Sequence, residues 1–336
     1  MTASIPRPTR VLVTGASGFV GGALFRRLQA DPSFEVVGLG RRPLADADYR
    51  AIDLAGPGAA DALGALEFVP DVIVHAAART SPWGSRVDFA RDNVDTTRAL
   101  LEFAGRGSAA RRPRFVFVST ASVLYRAVDQ VGVADDAPVG RRFVNGYAAS
   151  KFTAEELVRG YAGEWVVLRP RAVFGPGDTT LFPRVIEAAE RGRLPRFREG
   201  RRGPVLSDLV YIDTFVEQLV AALSEREAVG RTITVTNGEP VDLQRTVLTL
   251  LERLAVPTPT REVRRRAALW AATAVEAAWR LARRAGEPPV TRYSVIVYAY
   301  SKTFDPTLCR RVLGEPAVSV AEGLDRLVAS LTREPA

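Results

Sequence analysis

One short stretch limits the folds open to this chain more than any other. An apolar run, Arg10-Val11-Leu12-Val13, enters the turn Thr14–Gly21, TGASGFVG, and a segment of helical spacing follows to Ala30, with Leu24, Phe25 and Leu28 on one face. Gly15, Gly18 and Gly21 stand three residues apart between the strand and the helix. In that setting the glycines serve different purposes. One makes the tight turn, one lets backbone approach a ligand, and one lets the helix lie close on the strand. The free N–H groups and positive end of the helix then face the turn and suit a pyrophosphate. The stretch therefore predicts a dinucleotide site on a strand–turn–helix unit.

The rest of the chain repeats that unit. Apolar runs at Phe34–Leu39 (FEVVGL), Asp71–Val74 (DVIV), Arg114–Val118 (RFVFV) and Trp165–Leu168 (WVVL) read as buried strands, with helical segments at Phe89–Ala104 and Tyr147–Tyr161 between them. Alternating strand and helix predicts an α/β chain, a doubly wound parallel sheet. After Pro170 the pattern loosens. Helices are expected at Leu181–Arg191, at Thr214–Leu223 with Asp213 as N-cap, and over residues 242–254 and 264–284, with a strand at Thr232–Thr236. The expected division is a dinucleotide-binding domain over residues 8–175, to which later segments return, and a smaller C-terminal substrate domain over 176–334. The two interleave, with no clean linker and no internal repeat.

Composition excludes several functions. The single Cys309 rules out a disulfide framework, and with the single His75 it rules out a zinc cluster, so no metal is expected. Cysteine usage points to a reducing, cytoplasmic location. The N-terminal MTASIPRPTRVLVTG has no apolar leader, and no apolar run is long enough to span a bilayer. The net charge of +8 is spread over Arg pairs (Arg26-Arg27, Arg41-Arg42, Arg111-Arg112, Arg141-Arg142, Arg201-Arg202). Such scatter reads as a solvated surface, not a nucleic-acid interface.

The second strand bears on the choice of dinucleotide. A site for NAD places an acid about 20 residues beyond the glycines, on the ribose hydroxyls. Here that position is Gly40, followed by Arg41 and Arg42, which can receive a 2′-phosphate. NADP(H) is favoured over NAD(H).

Tyr147–Lys151, YAASK, is the next constraint. Of 46 Lys and Arg residues only Lys151 and Lys302 are lysine. Tyr147 and Lys151 share one helix face at i, i+4. An ammonium nearby is expected to lower the phenol pKa, so that the phenol can pass a proton to or from a substrate oxygen. Lysine is compact, and its three donors can also reach ribose hydroxyls, which explains its retention in an arginine-rich chain.

TGASGFVG, HAAA (His75–Ala78), VSTAS (Val118–Ser122) and YAASK, in this order, resemble the extended short-chain dehydrogenase/reductases. The resemblance runs from about Val11 to the C-terminus. It implies a Rossmann domain, with Tyr147 as general acid/base, Lys151 as its partner, and a hydroxyl that holds the substrate oxygen. Spacing to Val123 makes that hydroxyl Thr120, with Ser119 and Ser122 as alternatives. It also implies cofactor contacts at Gly15, Ser17, Gly18, Phe19, Val20, Asp53, Leu54, Ala76, Ala77, Ala78, Pro170 and Val173, together with Arg41, Arg42, Tyr147 and Lys151. His75 and Asn93 take structural roles. The helices at Phe89–Ala104 and Tyr147–Tyr161 resemble those that form dimers in the family, which implies a homodimer.

Many members of the family act on nucleotide-sugars and carry an Arg where this chain has Ser207, although Arg196, Arg198, Arg201 or Arg202 could still reach a diphosphate. LRPRAVFGPGDTTLFPRVIEAAERGRLP, LVYID, PPVTRYSVIVYAYSKTFDP and Trp83-Gly84 instead resemble the 3β-hydroxysteroid dehydrogenase branch, which includes sterol dehydrogenases and 2-alkyl-3-oxoalkanoate reductases. The expected function is hydride transfer between NADP(H) and a ketone or secondary alcohol of an apolar or amphipathic small molecule. A nucleotide-sugar epimerase or reductase is the first alternative, and a non-catalytic NADP(H) sensor or scaffold the second. Residues 264–284, with Arg at both ends and Trp270 and Trp279 on opposite faces, are expected to lid the pocket, with weak peripheral membrane contact as a side effect.

Overall fold

Seven parallel strands form the large sheet: β1 (Thr9–Thr14), β2 (Phe34–Gly40), β3 (Tyr49–Ala51), β4 (Val72–His75), β5 (Arg114–Val118), β6 (Trp165–Pro170) and β7 (Arg231–Val235). Their order is β7-β6-β5-β4-β1-β2-β3. The computed structural model describes residues 7–106, 112–198 and 203–333. Arg111, Arg201 and Arg202, named above, and the last residue of the expected substrate domain, 334, lie outside the described residues.

The near-continuous apolar runs follow from burial on both faces. Val11 and Val13 pack with Leu24, Phe25 and Leu28 on one side, while Leu12 packs with Ile73, Phe115 and Phe117 on the other. The strand order reverses between β1 and β4, and this is where doubly wound sheets open a crevice beyond their C-terminal ends. β7 lies far beyond residue 175 in sequence, yet it pairs with β6 from Arg231↔Val166 to Val235↔Pro170. Conversely, Gln130–Val133 leaves the large sheet and joins a four-stranded one with Val241–Asp242, Leu206–Ser207 and Lys302–Phe304. That smaller sheet joins residues far apart in sequence.

Local structure departs from expectation in two places. The helix expected over Phe89–Ala104 is broken into Arg86–Phe89, a π-helical turn Ala90–Asp95, and Thr96–Gly105. Such turns are rare and are frequent at functional sites; this one carries the buried Asn93. Asp213 is also not an N-cap. The helix is Ile212–Ser224, its cap position is Tyr211, and Asp213 sits in the first turn, where its carboxylate accepts from Arg326 at 3.1 Å. A first-turn acid suits the helix dipole without capping it.

Both lysines are interior: Lys151 is 1% exposed and Lys302 is 0% exposed. Lys302 Nζ donates to Val128 O (2.8 Å) and Ser301 O (3.1 Å). Burial lowers both ammonium groups from 10.5 to about 7. A buried lysine can shed its charge, as an arginine cannot. Between pH 7 and 9 the unfolded chain binds protons that the folded lysines have lost, so their contribution makes stability rise with pH. Above that window the buried Cys309 thiol, pushed up to about 12, acts in the opposite sense. Urea denaturation across pH 7–9 should therefore give a flatter stability profile for Lys302→Met than for the unsubstituted protein; identical slopes would mean that Lys302 stays charged in the fold.

Candidate active site

The glycine turn lies at the switch point between β1 and β4. Gly15 has φ +72°, and a Cβ there would meet Ala77 N at 2.8 Å; a Cβ on Gly21 would lie 2.3 Å from Gly15 O. Side chains at either position would close the turn against its neighbours, so the local shape fits a pyrophosphate cradle. The helix Phe19–Gln29 starts directly behind it.

A chain of hydrogen bonds anchors this turn. The Thr97 hydroxyl donates to Asn93 O (2.6 Å), which leaves it to accept from His75 Nε2 (3.0 Å). His75 Nδ1 then accepts from the Thr14 hydroxyl (2.7 Å), which itself accepts from Ala77 N (3.2 Å). The network therefore assigns the neutral Nε2–H tautomer. Burial, with the Lys151 charge nearby, holds His75 well below its usual value, in agreement. The network continues through the Asn93 side chain, which accepts from Arg79 N (2.7 Å) and donates to Ser150 Oγ (2.8 Å). Turn, strand end and π-turn are thereby tied to the helix Gly146–Arg159.

That helix starts at Asn145, whose side chain accepts from Ala148 N, and it buries Ala148, Ser150, Lys151, Ala154, Glu155 and Val158 along one stripe. Glu155 is fully buried. It accepts from Ser119 Oγ (2.5 Å), from Arg169 Nε (2.9 Å) and a terminal nitrogen of Arg169 (2.7 Å), and from Arg159 (2.7 Å). Helix, β5 end and β6 are fastened at this single carboxylate, and Ser119 is engaged there. Thr120 Oγ1 donates to Ser122 Oγ (3.1 Å) and accepts from Ser122 N (3.2 Å), and its hydroxyl acts to lower the Tyr147 phenol against the larger effect of burial.

One expectation is corrected. Tyr147 is pushed above its ordinary value, first by burial and then by Tyr293, not lowered by an ammonium. Lys151 Nζ lies 3.9 Å from the Phe117 ring centroid beneath the site. The phenol is therefore in its protonated form across the neutral range.

A cavity of about 1420 Å³ runs from the glycine turn past Tyr147. Its wall includes Gly15, Ser17, Gly18, Phe19, Val20, Arg41, Arg42, Asp53, Leu54, Ala76, Ala77, Ala78, Ser119, Thr120, Tyr147, Pro170 and Val173; of the residues expected to hold the cofactor or act in catalysis, Lys151 and the alternative Ser122 are not among them. Arg42 donates to Ser17 O at the turn, and Arg41 is exposed. Arg196 and Arg198 do not line the cavity, and Ser207 is 0% exposed. Sequence reasoning missed Tyr125, Arg171, Tyr293 and Tyr298, which wall the substrate end. Arg171 is adjacent to Pro170, and both later tyrosines lie in PPVTRYSVIVYAY, so the signal was proximity to recognised motifs. The helix Arg265–Leu281 closes one side through Ala268 and Ala271, while Trp270 remains exposed. Among the described residues no helix is long and apolar enough to cross a membrane.

A parallel sheet in this order, with a glycine cradle at its switch point and a Tyr–Lys helix beside it, defines a Rossmann-fold enzyme that uses a nicotinamide dinucleotide. The chain belongs to the NAD dependent epimerase/dehydratase family, whose model matches residues 11–236. It is 34% identical to a 2-alkyl-3-oxoalkanoate reductase of Stenotrophomonas maltophilia, over 96% of this chain and 99% of that one. It is 32% identical to a 4-hydroxy-2-methyl-3-oxo-4-farnesyl-3,4-dihydroquinoline-1-oxide ketoreductase of Stigmatella aurantiaca, over 95% of each. A crystal structure of UDP-glucuronic acid 4-epimerase from Bacillus cereus with NAD shares the fold, with TM-score 0.69 and 21% identity over 97% of this chain and 99% of that one.

Glu155→Ala would leave Arg169, 3% exposed, without its paired carboxylate. Breaking a buried ion pair from one side costs about 3–5 kcal/mol, and denaturant unfolding of this variant should give that loss. A loss below about 1 kcal/mol would put the pair in the class of surface ion pairs.

Proposed function

We propose that the enzyme is an NADP(H)-dependent ketone reductase, or hydroxyl dehydrogenase in reverse, for a small apolar or amphipathic substrate. The observation that carries this reading is the Tyr147–Thr120 hydroxyl pair in the same cavity as the glycine cradle. The ketoreductases among its relatives support it, as do the aromatic and aliphatic walls beyond Tyr147. Nucleotide-sugar chemistry has less support: position 207 is a buried serine, and Arg196 and Arg198 stand away from the cavity.

The bound nicotinamide supplies or accepts a hydride. In reduction, the Thr120 hydroxyl orients the substrate carbonyl oxygen and Tyr147, held protonated by burial, gives that oxygen its proton. Lys151, at about 7, can return a proton to the phenol at neutral pH. In this reading Lys151 also grips the ribose, Arg41 and Arg42 receive the 2′-phosphate, and the helix Arg265–Leu281 acts as a wall and lid.

Tyr147→Phe should lower turnover at least about 100-fold while dinucleotide affinity changes little; near-normal turnover would remove Tyr147 from the mechanism. For the cofactor, NADP(H) should raise the melting temperature more than NAD(H) at equal concentration, and Arg42→Ala should erase the difference. A larger shift with NAD(H) would sink the 2′-phosphate assignment.

A further inference from the structure

The helix Arg265–Leu281 carries its polar and apolar residues in the reverse of the usual order. Of its 17 residues only Ala272 and Glu276 are buried, so its one acid faces the protein. Glu276 accepts there from Arg292 N (2.7 Å) and from Arg280 (3.4 Å). At about 100° per residue, the side opposite Ala272 and Glu276 consists of Ala267, Trp270, Ala274, Ala277, Ala278 and Leu281. All six are exposed, Trp270 at 78% and Leu281 at 88%. A helix on the surface of a water-soluble domain ordinarily turns such a stripe toward the core.

The charges around the stripe have one sign. Arg265 is paired with Asp129 (2.9 Å), and Arg280 lies 4.5 Å from the Trp83 ring centroid. Arg264, Arg266 and Arg283 are exposed and pair with no acid among the described residues. Arg284, also exposed, lies 5.0 Å from the Trp279 ring centroid. Cations therefore stand at both ends of the stripe, and no acid lies on it. A second copy seated on this face would bring like charges together whichever way the two helices ran, with no acid to offset them. The surface of an acidic protein would meet the arginines, but its polar groups would find no partner on the stripe except the Trp270 indole N–H. An anionic bilayer suits both parts. Acyl carbons cover the stripe, headgroup phosphates accept from the guanidiniums, and an indole sits well at the boundary between them.

We propose that the outer face of Arg265–Leu281 docks on an anionic lipid surface, with Trp270 and Leu281 at the acyl boundary and Arg264, Arg266 and Arg283 on the headgroup phosphates. The helix lies on the bilayer without crossing it. Ala271 borders the stripe, is exposed and also lines the cavity, so docking brings an edge of the cavity to the lipid. The inference goes beyond the reductase reading and does not rest on it.

Flotation of the full chain with vesicles of equimolar phosphatidylglycerol and phosphatidylcholine, and with vesicles of phosphatidylcholine alone, is the test. Partition onto the anionic vesicles should exceed that onto the neutral ones at least about tenfold, and added salt should release the protein. Trp270→Ser combined with Leu281→Ser should lower the anionic partition coefficient at least about tenfold. Arg264→Gln, Arg266→Gln and Arg283→Gln should each lower it about fivefold. Tryptophan emission should shift to the blue on binding, and the shift should be lost in Trp270→Ser. These positions are all exposed, so melting temperatures should hold; should the paired serine variant fold poorly, the arginine variants and the salt titration decide. Absence of flotation, equal flotation with both vesicle types, or unchanged partition in every variant overturns the proposal. Self-association that Trp270→Ser abolishes, without flotation, would give the face to a second copy and overturns it as well. Capture by polyglutamate without flotation would do the same in favour of an acidic protein. Flotation is read without ketone turnover, so failure of either reading leaves the other standing.

Discussion

The site depends on one constraint: polar groups buried at the C-terminal ends of β4, β5 and β6 must all find partners. In a parallel sheet covered on both faces no water reaches them, and each unpaired group is costly. Two networks meet the requirement. One runs from Ala77 and Thr14 through His75, Thr97 and Asn93 to Ser150; the other gathers Ser119, Arg159 and Arg169 on Glu155. Both end on the helix Gly146–Arg159. The glycine cradle and the phenol therefore keep a common frame, although 132 positions separate Gly15 from Tyr147 in the numbering.

The same dryness sets the chemistry proposed for the site. Burial raises Tyr147 and lowers Lys151, bringing each toward its neutral form. A neutral phenol is the form that can donate to a carbonyl oxygen. Arg171 is the exception, because a guanidinium cannot become neutral.

Features carried by local chemistry were legible. The glycine spacing, the five apolar runs and the Tyr147–Lys151 pair each announce themselves within a few residues, because turn sterics, two-sided burial and helix periodicity act locally. The wall residues proposed for the dinucleotide follow from the same motifs. What failed was also physical. Asp213 has the chemistry of a cap, but Tyr211 takes the cap position and Asp213 turns to Arg326. The π-turn at Ala90–Asp95 leaves no local signal, because its geometry answers to packing against the neighbouring helix. The Lys151 ammonium was expected to lower the Tyr147 pKa, but desolvation, which depends on every surrounding element, raises it.

Sequence by itself determined the parallel α/β sheet, the dinucleotide turn at its first crossover and the Tyr–Lys pair on one helix face. Each of these depends on interactions that span less than about one turn or one strand. Only the tertiary structure decided that Arg171, Tyr125, Tyr293 and Tyr298 line one cavity, that Lys302 is interior, and that Gln130–Val133 joins the smaller sheet. Those facts rest on contacts between residues tens to hundreds of positions apart, and the energy of leaving a buried donor unpaired is defined only once all of its neighbours are in place.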